Sequence, residues 1–201
     1  AVSPPGGDIS EPVSQSTLRI VKVFWGLDYA LSYARHFPAI NWLNSYSLYQ
    51  AKMDEFFDTS INEKFSAYRK QCMALLQEES ALQEIVRLVG RYSLSEADQL
   101  KLEVAKSLRE DFLQQNAFHE VDTFCPLEKQ YKMLDIILTF NEEAKKAMAT
   151  GTYLNEILAL EVREPIARMK YVENDDLGKL DELKEQVVSE LGALGRGGKN
   201  A

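Results

Sequence analysis

The sequence predicts an all-α fold, and three observations carry that reading. From about residue 50 onward apolar side chains recur at intervals of three and four, the spacing that lines one face of a helix. Residues that start and stop helices fall between those stripes. Few stretches show the alternation that a half-buried strand needs.

Taken in order, Ala1 to Pro12 holds three prolines and two glycines and reads as an irregular lead-in. Ser14, Ser16 and Thr17 offer N-caps for a helix from Thr17 to Ala34. Its apolar residues, among them Leu18, Val23, Phe24, Trp25, Leu27 and Leu31, surround most of the helix, which predicts burial against a sheet lying outside this sequence. A loop runs on to Tyr49. Helical patterns then cover Ala51 to Asp58, Asn62 to Glu78, Ser80 to Val89, Ser95 to Gln115, Pro126 to Thr150, Tyr153 to Glu161, Ile166 to Tyr171 and Asp175 to Leu194. Gly90 stops one helix, Ser95 with Asp98 caps the next, Pro126 suits a first helical position and Gly151 a C-cap. Leu134, Ile137, Leu138 and Asn141 share a face, as do Leu102, Ala105, Leu108 and Phe112, and both stripes read as bundle core. Gly192 to Ala201 has four glycines and little to pack, so a frayed tail is expected, assigned to residues 195–201.

With 201 residues, 45% of them hydrophobic, the chain can bury a core; it does not begin with Met, and the expectation is one domain plus a piece of another. A net charge of -8 argues against nucleic acid and anionic membrane surfaces as partners. No apolar run approaches the roughly 18 residues of a membrane span, and there is no signal peptide; a cytoplasmic, soluble chain is expected. Cys72 and Cys125 lack any paired spacing and read as buried free thiols. His36 and His119 are the only histidines, and neither has a Cys or carboxylate at ligand spacing on a shared helix face, so no metal site is expected. No Gly-rich phosphate loop of the Walker A type occurs, and strand-end carboxylates that hold magnesium are missing too, so no catalytic residue is assigned within the chain.

Three stretches remain. In Arg35-His36-Phe37-Pro38-Ala39-Ile40-Asn41-Trp42-Leu43-Asn44-Ser45-Tyr46-Ser47, Pro38 excludes Phe37 from helical geometry and presents its ring on a stiff loop as a stacking platform. Gln114-Gln115-Asn116-Ala117-Phe118-His119-Glu120-Val121-Asp122-Thr123-Phe124-Cys125 ends a long helix, with side-chain amides able to pair with an adenine edge and an aromatic to cover its face. Glu84 to Asp98 is a helix, a turn and a capped helix start.

The first of these, with Ser3-Pro4-Pro5-Gly6-Gly7-Asp8-Ile9-Ser10-Glu11-Pro12-Val13 upstream, closely resembles the catalytic A subunit of the archaeal-type and vacuolar-type rotary ATPases, beyond its central nucleotide-binding strands. The match continues over most of the chain. It implies an adenine pocket with Phe37 as one wall, Pro38 as its rigid neighbour, Phe118 as the opposite wall, and Gln115 and Asn116 as polar contacts. The third stretch is similar to the rotor-pushing helix-loop-helix of rotary ATPase catalytic subunits, the acidic Asp-Glu-Leu-Ser-Glu-Glu-Asp loop of the F-type beta subunit. The implied rotor contact is Arg91, Tyr92, Ser93, Leu94, Ser95, Glu96, Ala97 and Asp98. Arg91, Tyr92 and Ser93 replace the leading residues of that loop and Ala97 replaces an acid, so contact through the shape of a stiff turn is what carries over.

The resemblance divides the chain into residues 1–49, the end of a nucleotide-binding domain with its last helix and Phe-Pro loop; residues 50–194, a helical C-terminal domain; and the tail. In the full-length enzyme it implies MgATP or MgADP as cofactor and a B subunit as partner in an alternating A3B3 ring. It also implies central rotor shaft subunits, and ATP synthesis or hydrolysis coupled through a membrane sector to proton or sodium transport. The fragment alone is expected to be inactive and to hold no nucleotide tightly. Two alternatives stand beside this. The non-catalytic B subunit has a similar Pro-x-Ile-Asn loop, though Trp42 to Ser47 and Gln115-Asn116-Ala117-Phe118 look like A; a helical interaction module without a nucleotide role is the other.

Overall fold

The computed structural model describes residues 1–3 and 10–197, with side chains to residue 195. The described chain is mostly helical and falls into two units: residues 1–66 with 114–116, and residues 67–113 with the remainder from Ala117. The motif segment Pro4 to Ile9 lies outside the described residues.

In the first unit the helix expected over Thr17 to Ala34 does not form. A short helix α1 (Pro12–Leu18) is followed by strand β1 (Val23–Leu27), helix α2 (Tyr29–Tyr33) and strand β2 (Ile40–Ser47), which pairs antiparallel with β1. The apolar run that reads as an all-round helical surface is a pleat: Phe24 and Gly26 are buried and Trp25 between them is exposed. Asp28 breaks the run as the N-cap of α2, accepting the N–H groups of Ala30 at 2.7 Å and Leu31 at 3.3 Å. The segment expected to pack as a helix against a sheet is itself sheet, and Ala1 to Ser3 lie along it: Val2 bridges Trp25 in parallel, and buried Ser3 accepts the Leu27 N–H on its hydroxyl at 2.8 Å. Helix α3 (Gln50–Ser60) closes the unit, Asp58 accepting both the N–H of Ser66 at 2.8 Å and its hydroxyl at 2.5 Å, with Phe57 stacked on Phe65.

The second unit is the predicted bundle. Two expected helices merge into α4 (Phe65–Val89), which passes through Ser80 without a break. Gly90 ends it at φ +86, a left-handed conformation that costs a glycine nothing. A 3-10 turn (Arg91–Ser93) leads to α5 (Glu96–Ser107), whose N-cap Ser95 accepts the Asp98 N–H at 3.1 Å as expected. The helix expected to reach Gln115 widens instead into a π-turn (Leu108–Leu113). There the buried Lys170 donates to the Glu110 carbonyl at 2.9 Å, supplying an outside partner for that backbone oxygen. Pro126 is the N-cap of α6 (Leu127–Ala149) rather than its first residue. Gly151 at φ +100 follows it, and α7 (Leu154–Leu158), α8 (Arg163–Arg168), a 3-10 turn (Met169–Tyr171) and α9 (Gly178–Gly197) complete the unit. The tail assigned to residues 195–201 is thus helical to Gly197; residues 198–201 lie outside the described residues.

The core sits between α6 and its neighbours. Leu134, Ile137, Leu138 and Asn141 are all buried, as are Leu102, Ala105 and Leu108, with Phe112 half-buried. Helix α9 lies along α6 and buries Leu180, Leu183, Val187 and Leu191 at spacings of three and four. Lys129, fully buried on α6, donates to the carbonyls of Lys170 at 2.8 Å and Val172 at 2.5 Å and to Asn174 Oδ1 at 3.1 Å. Burial pushes its ammonium below the ordinary lysine range, against the pull of Cys125, Asp122 and Glu173. Among the described residues both cysteines are free; Cys72 is buried, which raises its thiol to about 12, whereas Cys125 is only half-buried.

Candidate functional site

The Phe-Pro loop is built from β2 and α2 together. Between the pairs Phe24↔Tyr46 and Gly26↔Asn41, β1 has one residue and β2 has four, so Trp42 to Ser45 bulge out of the ladder. Asn41 organises the bulge. Its Oδ1 accepts the N–H groups of Leu43 at 2.9 Å and Asn44 at 3.0 Å, its Nδ2 donates to Asp28 Oδ2 at 2.9 Å, and its carbonyl accepts the Ser45 hydroxyl at 2.5 Å. Ser45 Oγ in turn accepts the N–H of Gly26 at 3.0 Å, returning the network to β1. Burial acts to raise the Asp28 carboxyl, but the bonds from Asn41, Leu31 and Ala30 outweigh it and hold the group below the usual carboxylate range.

On this frame the chain leaves α2 through Arg35 at φ +57 and reaches the cis Phe37–Pro38 bond. His36 is buried with its ring 5.7 Å from that of Trp42, while Phe37 is 51% exposed. The Phe37 carbonyl accepts the N–H of Gln115 at 2.7 Å, so two segments remote in sequence are hydrogen-bonded within the first unit. Phe37, Pro38, Gln115 and Asn116 are thereby brought into one unit.

Phe118 belongs to the second unit and is 98% exposed. The loop presenting it is held by His119, whose Nδ1 accepts the N–H groups of Val121 at 3.1 Å and Asp122 at 3.3 Å and whose ring lies 4.5 Å from Tyr171. Asn174 Nδ2, on the segment that Lys129 grips, donates to the Phe124 carbonyl at 3.1 Å. Asn41 and His119 are thus positioning residues that sequence reasoning missed. An Asn directly after Ile40 and a His opening a helix-free stretch are the available signals, but neither shows which N–H groups it will cap.

The turn Arg91 to Asp98 stands at the end of α4 and α5, where the residues from Ser80 to Gln99 are exposed or half-buried. Ser93 donates to the Gly90 carbonyl at 2.6 Å, the Leu94 N–H to the Arg91 carbonyl at 3.1 Å, and Gln99 Nε2 to the Leu94 carbonyl at 3.0 Å. The Ser95 hydroxyl donates to Asp98 Oδ2 at 2.7 Å, and this bond with the Lys101 ammonium holds the Asp98 carboxyl below its usual range. Tyr92 is 96% exposed and is joined by exposed Leu88 and Val89. Arg91, Leu94 and Asp98 are half-buried, and the Arg91 guanidinium lies 2.6 Å from Glu103 Oε1. Among the described residues no group of three or more metal-binding side chains occurs, and no helix is long and apolar enough to cross a membrane.

Comparison with known proteins finds two family models along the chain. Residues 54–158 match the model of the C-terminal domain of V and A type ATP synthase, and residues 1–47 that of the ATP synthase alpha/beta family, nucleotide-binding domain. The chain belongs to the V- and A-type ATP synthase family, whose C-terminal domain model covers more than half of it. Within that family its similarity is to the alpha, catalytic A chain. It is 62% identical over 194 residues to the V-type ATP synthase alpha chain of Clostridium perfringens (strain SM101 / Type A), covering 96% of this chain and 33% of that one. It is 61% identical over 202 residues to the alpha chain of Clostridium botulinum (strain Okra / Type B1), covering 98% and 34%. The chain spans about a third of the length of the curated relatives it matches. Among solved structures, a unique ATP synthase subunit NeqB from Nanoarcheaum equitans superposes with a TM-score of 0.57 at 25% identity, over 69% of this chain and 32% of that one.

Proposed function

We propose that this chain supplies the adenine-facing loops and the rotor-facing tip of the alpha chain of a rotary ATP synthase or ATPase. In that reading the full-length protein makes or hydrolyses MgATP at an interface with the B subunit of an alternating A3B3 ring. Rotation of the central shaft couples this reaction to proton or sodium transport by the membrane sector, with the chain on the cytoplasmic side, peripheral to the membrane. Residues 1–49 end the nucleotide-binding domain and residues 50–194 form the helical domain.

The observation that carries the adenine assignment is the 2.7 Å bond from the Gln115 N–H to the Phe37 carbonyl. It supports a composite site, with a half-exposed ring and two side-chain amides on one framework, the combination that a flat heterocycle with a donor and acceptor edge requires. The family resemblance assigns the second stacking surface to Phe118, which is nearly fully exposed on a loop braced by His119. A binding measurement tests this. Stacking supplies roughly 1–3 kcal/mol per base contact. Without a phosphate loop the 201-residue chain should then bind ATP at about 4 kcal/mol, a millimolar affinity. Micromolar binding by calorimetry would contradict this division of labour. In the assembled complex Phe37→Ala and Phe118→Ala should each weaken nucleotide binding while the Tyr replacements are tolerated; unchanged affinity in both Ala variants would make the rings packing residues only.

The rotor assignment rests on the turn at Arg91 to Asp98, which presents Tyr92 nearly fully exposed and is braced by the Ser93, Leu94, Ser95 and Gln99 hydrogen bonds. Deleting Tyr92 to Ala97 in the complex should lower torque with nucleotide affinity nearly unchanged. Glu96→Gln with Asp98→Asn should leave coupling largely intact, because an Asn side-chain carbonyl still accepts from the Ser95 hydroxyl.

A further inference from the structure

A turn that pushes on a moving partner must be fixed to the body behind it, and the hydrogen bonds of Arg91 to Ser95 reach only its immediate neighbours, Gly90 and the first turn of α5 at Asp98 and Gln99. Core packing does not supply the anchor, since the buried stripe of α4 stops at Glu79 and that of α5 begins at Leu100. The anchor on this face is ionic. Glu103, two turns along α5 from the cap, is mostly buried and places Oε1 2.6 Å from Arg91 Nη2 and Oε2 2.8 Å from Arg163 Nη2. Arg163, on α8, is itself oriented by donating through Nη1 to the Leu158 carbonyl at 3.0 Å. One carboxylate thus joins the turn, α5 and α8. Each of its oxygens faces a guanidinium, in a setting where 11% side-chain exposure limits screening by salt.

We propose that Glu103 is a positioning residue for the tip: by gripping Arg91 and Arg163 at once it makes the turn an extension of the bundle, so that force on the turn reaches α8 instead of bending the turn. The proposal rests on the reading of Arg91 to Asp98 as the rotor contact. A Gln at this position has one acceptor oxygen and turns an NH2 group toward the second arginine, so only one of the two grips survives. Lys101, which bridges Asp98 and Glu78 at 3.2 Å and 3.1 Å, ties α5 to α4 and does not reach the turn's leading residues.

The test uses the assembled complex with three variants, Glu103→Gln, Arg91→Met and the double variant, read by single-molecule torque and by amide exchange at Gly90 to Ser95. Arg91→Met keeps an apolar stem on a half-exposed turn residue, so it remains informative if Glu103→Gln folds poorly. Exchange at the turn should rise by about tenfold in each single variant, with α6 amides unchanged. Torque should fall by about twofold or more in each, and no further in the double variant, because both changes cut the same link. Full torque or unchanged exchange in Glu103→Gln overturns the proposal, and so does a loss in Glu103→Gln without one in Arg91→Met. Full torque after deleting Tyr92 to Ala97 overturns the rotor reading itself and the proposal with it, an outcome separate from a Glu103 failure.

Discussion

The two units are held by different physics. In the second, stripes on α5, α6 and α9 bury Leu100, Ile136, Ile137, Leu180 and Leu191 almost completely, and its polar contacts mostly orient segments around that core. In the first, among the described residues Phe24 and Phe65 are the buried large apolar side chains, while Trp25, Tyr29, Tyr33 and Phe37 stand exposed; order comes from the chain Asp28, Asn41, Ser45, Gly26 and from Ser3. Apolar burial tolerates imprecise partners, whereas a hydrogen-bond network fails when one member is removed. The difference can be measured within one molecule, because both tryptophans, Trp25 and Trp42, lie in the first unit and most helix lies in the second. Fluorescence and far-ultraviolet circular dichroism therefore report different units.

The largest effect expected is in the bundle. Ile137→Ala removes a side chain 1% exposed at the centre of α6 and should cost about 3 kcal/mol in urea unfolding followed by circular dichroism. Trp25→Ala removes a larger but half-exposed ring and should cost less, about 1 kcal/mol, in the fluorescence of the remaining Trp42. Equal losses would erase the proposed contrast.

A pair of asparagines sharpens it. Asn41 satisfies two N–H groups and a carboxylate, so Asn41→Leu should cost about 2 kcal/mol by leaving them without partners. Asn141 is buried on α6, and its Oδ1 has no hydrogen-bond partner among the described residues. There Asn141→Leu should be neutral or stabilising by up to about 1 kcal/mol. Destabilisation of both by the same amount would mean that α6 also relies on a polar contact.

This contrast also decides what is legible in the sequence. Helical stripes announce themselves through spacing, and Leu134, Ile137, Leu138 and Asn141 can be placed on one face from their intervals alone. The run from Leu18 to Tyr33 has no such period, and its unbroken apolar content imitates a buried helix. Gly26 and Asp28 in mid-run, and the buried-exposed-buried order of Phe24, Trp25 and Gly26, are the counter-signals. The π-turn at Leu108 is hidden because the partner of its Glu110 carbonyl, Lys170, comes from a distant segment. For the site, the residue types of the Phe-Pro loop and of Gln115 to Phe118 point to a stacking ligand. That Phe37 and Gln115 share a hydrogen bond depends on tertiary placement, which no local pattern records.

The smallest effects are those of pH, and their signs separate three carboxylates. Burial works to raise Asp28 and Glu103, but hydrogen bonds from Asn41 for the first and Arg91 for the second, with the charges of Arg163, Arg91 and Lys106, leave both below their ordinary values. Each then contributes stability that is fully present above the ordinary carboxylate range and is lost as pH falls through the lowered folded value. Asp111, by the π-turn, is the reverse: burial raises it more than Ser107 and Lys170 lower it, so the folded state holds its proton more tightly and stability falls as pH rises through its raised value. Unfolding between pH 3 and pH 7 should therefore show a shallower acid loss in the fluorescence transition for Asp28→Asn and in the dichroism transition for Glu103→Gln. Asp111→Asn should be as stable as the parent in acid and slightly more stable at neutral pH, since its amide still accepts from the Ser107 hydroxyl without carrying a buried charge. All three shifts should stay below about 1 kcal/mol, because in each group burial and the hydrogen bonds and charges act in opposite directions and largely offset. An acid loss in the bundle that survives Glu103→Gln unchanged would move the pH-sensitive joint from the Arg91 to Arg163 bridge to another carboxylate.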